Sequence, residues 1–473
     1  MTNPYKVFLI CFTAFLFFGC FEDLDDNPAS VRDLNNFVWR GLNTYYLYKD
    51  EVPDLGNSRF TTSEYENFLN SFNSPEALFE HLRYQPQTVD RFSWITNNYI
   101  ELEQLLNGTS LSTGMDFGLV RHPNGSNNIF GYVGYVLPNS SASLQGVTRG
   151  TIFYAVNDVP LTRSNFSSLL QNRSFTINLA NYNDNGTPDV LDDTIIPNGQ
   201  SITLTKSALT ENPIFKTALF TIAEQQVGYL MYNGFTRNFD AQLNAVFGDF
   251  KANNVQNLII DLRYNSGGSV NTAILLSSMI AGQTGNVFST EVWNTDIQSA
   301  LSVAQTTNYF TNSDNGVPLN ILNLSKVYIL TSKRSASASE LVINCLDPYI
   351  DVIHIGTETA GKFQASITVY DAPDFRRINA NPAHLYAMQP LVLKSLNAVG
   401  YTDYSFGLVP DVLFPENYAN MGTLGTENEP LLAAALQIIR DNSRVSPQVN
   451  QALELVADKH MFAPVEVGMY VNP

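Results

Sequence analysis

The chain has 473 residues, of which 44% are hydrophobic and only 15% are charged, so it encodes folded domains rather than a disordered polypeptide. This length accommodates two to four domains and at least one large core. The formal net charge of −18 argues against nucleic acid or an anionic membrane surface as a partner.

The first twenty residues have the pattern of an export signal. Lys6 precedes an apolar run over residues 7–18, which is shorter than a membrane span and ends in Gly19-Cys20. This ending is similar to the processing site of bacterial lipoproteins, whose cysteine becomes the lipidated N-terminus. We expect residues 1–20 to be a lipoprotein signal peptide that leaves the protein lipid-anchored through Cys20 in the bacterial cell envelope, at the periplasmic or surface face of the outer membrane. An ordinary secretory signal is the alternative.

Residues 21–110 are expected to form an acidic tether followed by a helical N-terminal module. "FEDLDDN" follows Cys20, and apolar residues then recur at three- and four-residue spacing between residues 31 and 46. This spacing predicts one apolar helix face that packs on the rest of the protein. No residue of the module matches a catalytic or binding motif. The whole chain has only three cysteines, so no disulfide framework is expected.

Residues 111–208 change to short β-like runs separated by turns. "FGYVGYVLPNSSASLQGVTRGTIFYAVNDVPLT", residues 130–162, resembles a PDZ domain, with "GMDFGL" where the carboxylate-binding loop of that family lies. The resemblance implies that backbone N–H groups of Phe117, Gly118 and Leu119 bind the C-terminal carboxylate of a peptide that adds to a sheet edge. The Asp- and Asn-rich residues 181–193 are expected to be a hairpin tip, with a calcium site as the alternative.

Residues 209–415 alternate between predicted strands and helices, as in a stacked β-α core. "VGYLMYNGF", "NLIIDLRYNSGGS", "KVYILTSKR" and "DVIHIG" are predicted strands with the turns that follow them. Between the first two, apolar residues from Leu243 to Phe250 have helical spacing. Residues 416–473, with "PLLAAALQIIR", are expected to be helical.

The stretch "GTETAGKF" matches most of the phosphate-binding P-loop pattern. A P-loop requires Ser or Thr after its lysine and a helix beyond it, but Phe363 follows Lys362, and "QASITVYDAP" has the alternation of a strand. The sequence therefore does not predict a nucleotide site, and no cofactor is expected.

The stretch "SKRSASASEL" lies between a predicted strand and a predicted helix. A small-residue loop at such a junction can expose a serine hydroxyl beside backbone N–H groups, as acyl transfer requires. Taken alone, however, a loop of this kind is more often an ordinary helix cap.

Four motifs in order identify the family that the chain resembles: the PDZ-like stretch, "DLRYNSGG", "SASASE" followed by "GTETAGK", and "GLVPDV". Together, over about residues 110–415, they are similar to the carboxyl-terminal processing, or tail-specific, serine proteases. The resemblance implies a crotonase-like α/β core with Ser337 as nucleophile and Lys362 as general base. It places the oxyanion donors at the N–H of Ala338 and of one of Gly267 and Gly268, without deciding between the glycines.

The same resemblance leaves the residue that orients Lys362 open. The family often has Gln four residues after the lysine, where this chain has Ser366, with Gln364 two residues earlier. A lysine must be neutral to act as a base, and burial can lower a lysine pKa from about 10.4 to roughly 7–8. No Cys/His cluster suggests a metal site.

The sequence therefore predicts an endopeptidase whose partners are protein or peptide substrates with free C-termini. Three alternatives stay open: a non-catalytic peptide-binding scaffold of the same fold, a Ser-His-Asp triad using His354 or His384, and a lipase or esterase. G-x-S-x-G, the pattern of the last class, is absent around Ser337.

Replacing Cys20 by serine is expected to release the protein from membranes, because the folded body has no other apolar span in the sequence. The measurement is the distribution of the protein between membrane and soluble fractions after cell lysis. Sedimentation of the Cys20→Ser protein with membranes would place the anchor elsewhere.

Overall fold

The computed structural model describes residues 28–441, 453–459 and 469–471. The predicted signal peptide and Cys20 lie outside the described residues. No helix in the described part of the chain is long and apolar enough to cross a membrane.

The helices, in chain order, are α1 (Val31–Tyr45), α2 (Thr62–Asn70), α3 (Pro75–Leu82), α4 (Tyr99–Leu106), α5 (Ser141–Leu144), α6 (Phe166–Gln171), α7 (Asp240–Ala252), α8 (Val270–Ala281), α9 (Thr295–Ala300), α10 (Ala338–Leu346) and α11 (Pro430–Asp441). The strands are β1 (Trp94–Thr96), β2 (Thr109–Ser112), β3 (Met115–Arg121), β4 (Ile129–Val136), β5 (Ile152–Val156), β6 (Val159–Pro160), β7 (Ser174–Asn183), β8 (Thr194–Thr205), β9 (Ser207–Thr210), β10 (Ile214–Ile222), β11 (Gln225–Tyr232), β12 (Asn257–Asp261), β13 (Val287–Trp293), β14 (Thr307–Tyr309), β15 (Ser313–Asp314), β16 (Val317–Pro318), β17 (Lys326–Thr331), β18 (Asp351–Gly356), β19 (Gln364–Ser366), β20 (Val369–Tyr370), β21 (Ala387–Gln389), β22 (Leu391–Asn397), β23 (Val412–Leu413) and β24 (Leu455–Asp458).

A six-stranded sheet forms the centre of the α/β core, in the order β10-β11-β12-β17-β18-β23. Strands β11 to β23 of this sheet pair in parallel, and β10 is an antiparallel edge. Helices α7, α8 and α10, together with the N-terminal module, pack against one face, and α11 packs against the other. Both faces are therefore covered, which explains why the central strands are apolar along their whole length.

The parallel order brings three loops to one edge of the sheet. β12, β17 and β18 are neighbours, and they end at Asp261, Thr331 and Gly356. Loops that follow adjacent parallel strands meet at the carboxyl edge of a sheet, where α/β proteins usually place their sites. The predicted glycines, serine and lysine follow these three strands in the sequence.

The β-rich module, residues 111–208, forms most of a separate sheet in the order β24-β3-β4-β5-β7-β8, with β6 on β5. Residues 184–193 connect β7 to β8, as expected for a hairpin tip. Among the described residues, no group of three or more His, Cys, Asp or Glu side chains is arranged to hold a metal ion.

The C-terminal part of the chain differs from the prediction of a helical segment. α11 is a helix, but residues 455–458 form β24, which pairs antiparallel with β3 of the β-rich module. The sequence of β24, "LVAD", contains no helix-breaking residue. These residues form a strand because they pair with the edge of β3, which lies more than 300 residues earlier in the chain.

Candidate active site

Ser337 occupies a strained position at the start of α10. Its φ is +66° and its ψ is −112°, a conformation that residues with a side chain rarely adopt. The serines that cap α1, α3, α5 and α8 all have negative φ, and their side chains accept bonds from the helix backbone. Ser337 instead accepts a hydrogen bond through Oγ from the N–H of Met469. The backbone conformation of Ser337 is thus unlike that of the other serine caps, although Glu340 bonds its N–H as in a capping box.

The buried Glu340 carboxylate joins the Ser337 loop to the Lys362 loop. One oxygen, Oε2, accepts the backbone N–H of Ser337 at 2.7 Å and the backbone N–H of Lys362 at 2.8 Å. The other, Oε1, accepts the N–H of Gly361 at 2.7 Å and the hydroxyl of Thr359 at 2.5 Å. A single side chain therefore fixes the backbone of the predicted nucleophile against that of the predicted base.

Glu340 is fully buried, and this burial raises the pKa of its carboxyl. The four donors around it act in the opposite direction, because each favours the charged form. The carboxylate also lies in the first turn of α10, where the helix dipole stabilises negative charge.

The two predicted oxyanion glycines have different hydrogen bonds. The N–H of Gly267 donates to Oδ1 of Asn265 at 2.8 Å, so it is engaged within its own loop. Gly268 forms a parallel bridge with Phe235, which turns its N–H and C=O away from that strand. Its C=O accepts from Tyr470, and in the described part of the chain its N–H has no recorded acceptor. Of the two glycines, Gly268 is therefore the one whose N–H has no acceptor among the described residues.

Close packing explains why Gly267 must lack a side chain. A Cβ on Gly267, whose φ is +110°, would lie 2.7 Å from the Cβ of Ser337 and 3.0 Å from the N of Ala338. The N–H of Ala338 is in the first turn of α10, where helix N–H groups have no partner within the helix. The glycine loop and the helix start are thus in direct contact at the serine.

Asn265 connects these two loops through its backbone. Its C=O accepts the N–H of Ala336 at 3.1 Å and the hydroxyl of Ser339 at 2.9 Å. The hydroxyl of Ser335 donates to the carbonyl of Leu262 at 2.8 Å. Ser335 and Ser339 are therefore used for loop structure, which leaves Ser337 as the serine of "SASAS" whose hydroxyl does not bond the glycine loop.

Lys362 is 4% exposed, and its surroundings come partly from the N-terminal module. Its Nζ lies 4.7 Å from the centre of the Phe92 ring. Next to it, the Arg91 side chain donates to the carbonyls of Gly361 at 2.9 Å and Ser405 at 3.1 Å. The N-terminal module, in which the sequence analysis identified no functional residue, thus contacts the loop that carries Lys362 through Arg91 and Phe92.

Gln364 and Ser366, the two candidates for orienting Lys362, have recorded partners elsewhere. The Gln364 amide donates to the hydroxyl of Tyr48 at 2.9 Å. The Ser366 hydroxyl donates to Oε1 of Gln389 at 2.6 Å. Both side chains are buried in β19, and among the described residues Oε1 of Gln364 has no hydrogen-bond partner, so Gln364 stays a candidate for orienting the Lys362 amine. The Lys362 backbone is positioned by Glu340.

The two histidines of the alternative triad have partners away from Ser337. His354 lies on β18, its ring bonds the hydroxyl of Thr331 at 2.5 Å, and burial lowers the pKa of His354 to about 4. His384 bonds Asp371 at 3.0 Å and packs on Phe37. Neither arrangement supplies a base to the Ser337 hydroxyl.

The predicted peptide-binding edge of the β-rich module is covered by the chain itself. Gly118 pairs with Asp458 and Leu119 with Ala457 of β24, while the side chain of Phe117 packs in the module core. Arg334, on the Ser337 loop, forms a bidentate salt bridge with Asp116 of β3 at 2.7 and 2.8 Å. This ion pair links the module edge to the loop that carries the serine.

Sequence reasoning missed Glu340, Asn265 and Phe92. A signal for Glu340 was present, because Ser337-Ala-Ser-Glu340 has the S-x-x-E spacing in which the glutamate bonds the N–H of the residue before the helix. Asn265 lies within the "DLRYNSGG" motif, but nothing in the motif indicates its contacts. Phe92 had no signal, because its contact with Lys362 joins residues 270 positions apart.

Two family models match separate parts of the chain. The model of peptidase family S41 matches residues 226–384, which include Gly267, Gly268, Ser337 and Lys362. The model of the peptidase S41 N-terminal domain matches residues 33–94, the helical module up to β1.

Individual relatives agree with these models. A carboxyl-terminal-processing protease of Picosynechococcus is 21% identical over 253 residues, which are 54% of this chain and 54% of that protein, so the match spans about half the length of this relative. A candidate S41 protease from Bacteroides fragilis has a solved structure that superposes with a TM-score of 0.64 at 25% identity, covering 86% of this chain and 97% of that one. The photosystem II D1 C-terminal processing protease superposes with a TM-score of 0.50 at 17% identity, covering 89% and 100%, and shares the fold. From the two family models and these relatives, we conclude that residues 226–384 carry the peptidase domain of family S41 and residues 33–94 the N-terminal domain of that family.

Proposed function

We propose that the protein is a serine endopeptidase of the tail-specific type, in which Ser337 is the nucleophile and Lys362 the general base. The observation that carries the proposal is the Glu340 carboxylate, which bonds the backbone N–H of both residues through one oxygen. The strained φ of Ser337 supports it, because such strain is found where a site must present a side chain in one orientation.

In the proposed reaction, Ser337 Oγ attacks the carbonyl carbon of the scissile peptide bond while its proton moves to the neutral amine of Lys362. The N–H groups of Ala338 and Gly268 hold the negative oxygen of the tetrahedral intermediate. When the C–N bond breaks, Lys362 gives its proton to the leaving amine, and an ester on Ser337 remains. Lys362 then takes a proton from water, which attacks the ester carbonyl. As the C–O bond to Ser337 breaks and the acid is released, Lys362 returns the proton to Oγ.

For substrate choice, we propose that the β-rich module acts as a PDZ domain and that its β3 edge, which β24 covers in this structure, selects proteins by their free C-termini when β24 is displaced. A peptide can add to a sheet edge through its backbone, so this mode makes few demands on its side chains. With lipid attachment at Cys20, the substrates would be proteins of the cell envelope.

A non-catalytic scaffold of the same fold is the competing function. A scaffold needs neither a strained serine nor a buried carboxylate between two loops, since both features cost free energy of folding. The ordinary serine caps elsewhere in the chain show that this sequence builds helix starts without such strain.

Ser337→Ala is expected to lower kcat for peptide hydrolysis by roughly 10³-fold or more, because the nucleophile is lost while the loop keeps its backbone bonds. Ser339→Ala is the matched control: it removes a hydroxyl two residues away that donates to the Asn265 carbonyl, and it should keep kcat within about tenfold. Hydrolysis of a fluorogenic peptide measures both variants. Equal activity of Ser337→Ala and wild type would contradict the assignment.

Lys362→Arg is expected to be nearly as inactive as Lys362→Ala, because a guanidinium stays protonated and cannot accept the serine proton. The control is Lys333→Arg, an exposed lysine of the Ser337 loop that donates to the Phe406 carbonyl and should tolerate the change. The measurement is kcat, with the thermal unfolding midpoint recorded for each protein. Substantial activity in Lys362→Arg at unchanged stability would remove Lys362 as the base.

A further inference from the structure

Residues 469–471, which we call the cleft segment, lie as a strand between two edges of the candidate active site. On one side, Tyr470 donates its N–H to the Gly268 carbonyl at 3.1 Å and accepts the N–H of Val270 at 3.1 Å. On the other, Met469 accepts the N–H of Ser366 at 2.9 Å, and Val471 donates to the Ser366 carbonyl at 3.0 Å. Backbone groups on both sides of the segment are thus paired, as in a central strand of a sheet.

Two side chains of the cleft segment, Met469 and Tyr470, are buried. Met469 is fully buried in the main core, and Tyr470 is 8% exposed. Tyr470 also lines a cavity of about 660 Å³ that extends from Gly267 and Gly268 to Asp116 and Phe117 of β3. The cleft beside Ser337 therefore accepts an extended peptide with a large side chain at the position of Tyr470.

The same part of the chain also fills the β3 edge. β24 pairs with β3, and the charged residues at its end have specific partners. Asp458 accepts from Arg334 of the Ser337 loop at 3.1 Å, and Lys459 lies 3.1 Å from Asp116 and 3.0 Å from Glu211. Both surfaces that a substrate would use are thus occupied by residues of the protein itself.

We propose that the cleft segment is an intramolecular inhibitor, a peptide ligand of the groove between residues 268–270 and Ser366 that competes with peptide substrates for Ser337. This inference rests on the proposed function, because it describes the regulation of the same site. Substrates bind only when the segment leaves the groove, and they bind there as extended strands through the same main-chain groups.

The geometry at Ser337 makes the segment an inhibitor rather than a substrate. The N–H of Met469 donates to Oγ, so the group of the segment that Oγ contacts is an amide nitrogen and not a carbonyl carbon. This hydrogen bond also uses one of the two lone pairs of Oγ.

Attachment to the chain gives the segment a large advantage over a free peptide. A tethered ligand acts at an effective concentration on the order of 1 mM when its tether is short and flexible. A substrate then meets only the fraction of molecules with an open groove, and its apparent affinity is reduced by that fraction. The expected signature is a raised KM with little change in kcat.

Tyr470→Pro combined with Val471→Pro tests the inference, because proline lacks the N–H groups that bond Gly268 and Ser366. The matched control, Tyr470→Phe with Val471→Ile, keeps every main-chain donor. Both pairs are placed in the Ser337→Ala protein, so the measurement needs no turnover. The probe is a fluorescent peptide, Gly-Met-Tyr-Val-Asn, whose binding is followed by anisotropy. We expect its Kd to be at least tenfold lower for the proline pair, and an equal or higher Kd would overturn the proposal.

Hydrogen exchange on the wild-type chain provides a second measurement that does not depend on the folding of a variant. The amides of Tyr470 and Val471 should be protected, and a saturating amount of the probe peptide should speed their exchange. Fast exchange without the peptide would show that the segment does not occupy the groove.

Kinetics with Ser337 intact separate this inference from the proposed function. The proline pair should lower KM for a reporter peptide at least tenfold, with kcat within twofold of the control pair. Unchanged KM, or loss of residues from 469 onward in the intact mass of the wild type, would overturn the inhibitor. If no protein hydrolyses the reporter, the proposed function is contradicted, and the peptide-binding comparison still decides whether the segment competes for the groove.

Discussion

The buried carboxylate of Glu340 is the constraint on which the candidate site depends. The serine and the lysine belong to loops that follow the neighbouring strands β17 and β18, and the Ala360 N–H donates to the Ser335 carbonyl at 2.9 Å between these loops. Four hydrogen bonds to the Glu340 carboxylate add the link at Ser337 and Lys362 themselves, at the start of α10 where the helix dipole favours its charge. An unpaired carboxylate at this depth would be costly, so the loops and the glutamate stabilise each other.

Other parts of the molecule contribute to the same arrangement from three directions. The glycine loop reaches Ser337 because Gly267 has no side chain, and Asn265 ties that loop to the serine loop. The N-terminal module supplies Phe92 and Arg91 beside Lys362. The β-rich module connects through the ion pair of Asp116 with Arg334. The site is therefore assembled from segments that are far apart in sequence.

The local pattern of the sequence predicts many strands and helices of the α/β core but few of the contacts between distant residues. The predicted strands and helix around residues 327–346 are confirmed by β17 and α10, and the strand after Lys362 by β19. The resemblance placed Ser337, Gly267, Gly268 and Lys362 in one expected site, and they lie in the three loops that follow β12, β17 and β18. The strands and the helix follow from local periodicity, whereas the adjacency of the three loops follows from the parallel strand order, which was not predicted.

What the sequence did not predict depends on contacts between distant residues. Residues 455–458 were expected to be helical and form a strand, because the β3 edge offers a partner that no local pattern reveals. The contacts of the two candidates for orienting Lys362 were not predicted either: the Gln364 amide nitrogen donates to Tyr48 and the Ser366 hydroxyl to Gln389. No local sequence pattern indicates the cleft segment, because its position depends on backbone hydrogen bonds with Gly268 and Ser366, which are distant in the chain.

The most direct test of this account is kcat of Glu340→Gln, measured with a reporter peptide at saturation. The amide keeps the shape of the side chain but replaces one accepting oxygen with a donor, which then faces N–H or hydroxyl donors of the two loops. The account predicts a kcat at least 100-fold below wild type in a protein that still unfolds cooperatively, while Thr359→Val, which removes one donor and keeps the carboxylate, loses much less. A Glu340→Gln protein with kcat close to wild type would contradict the claim that this carboxylate holds the nucleophile and the base together.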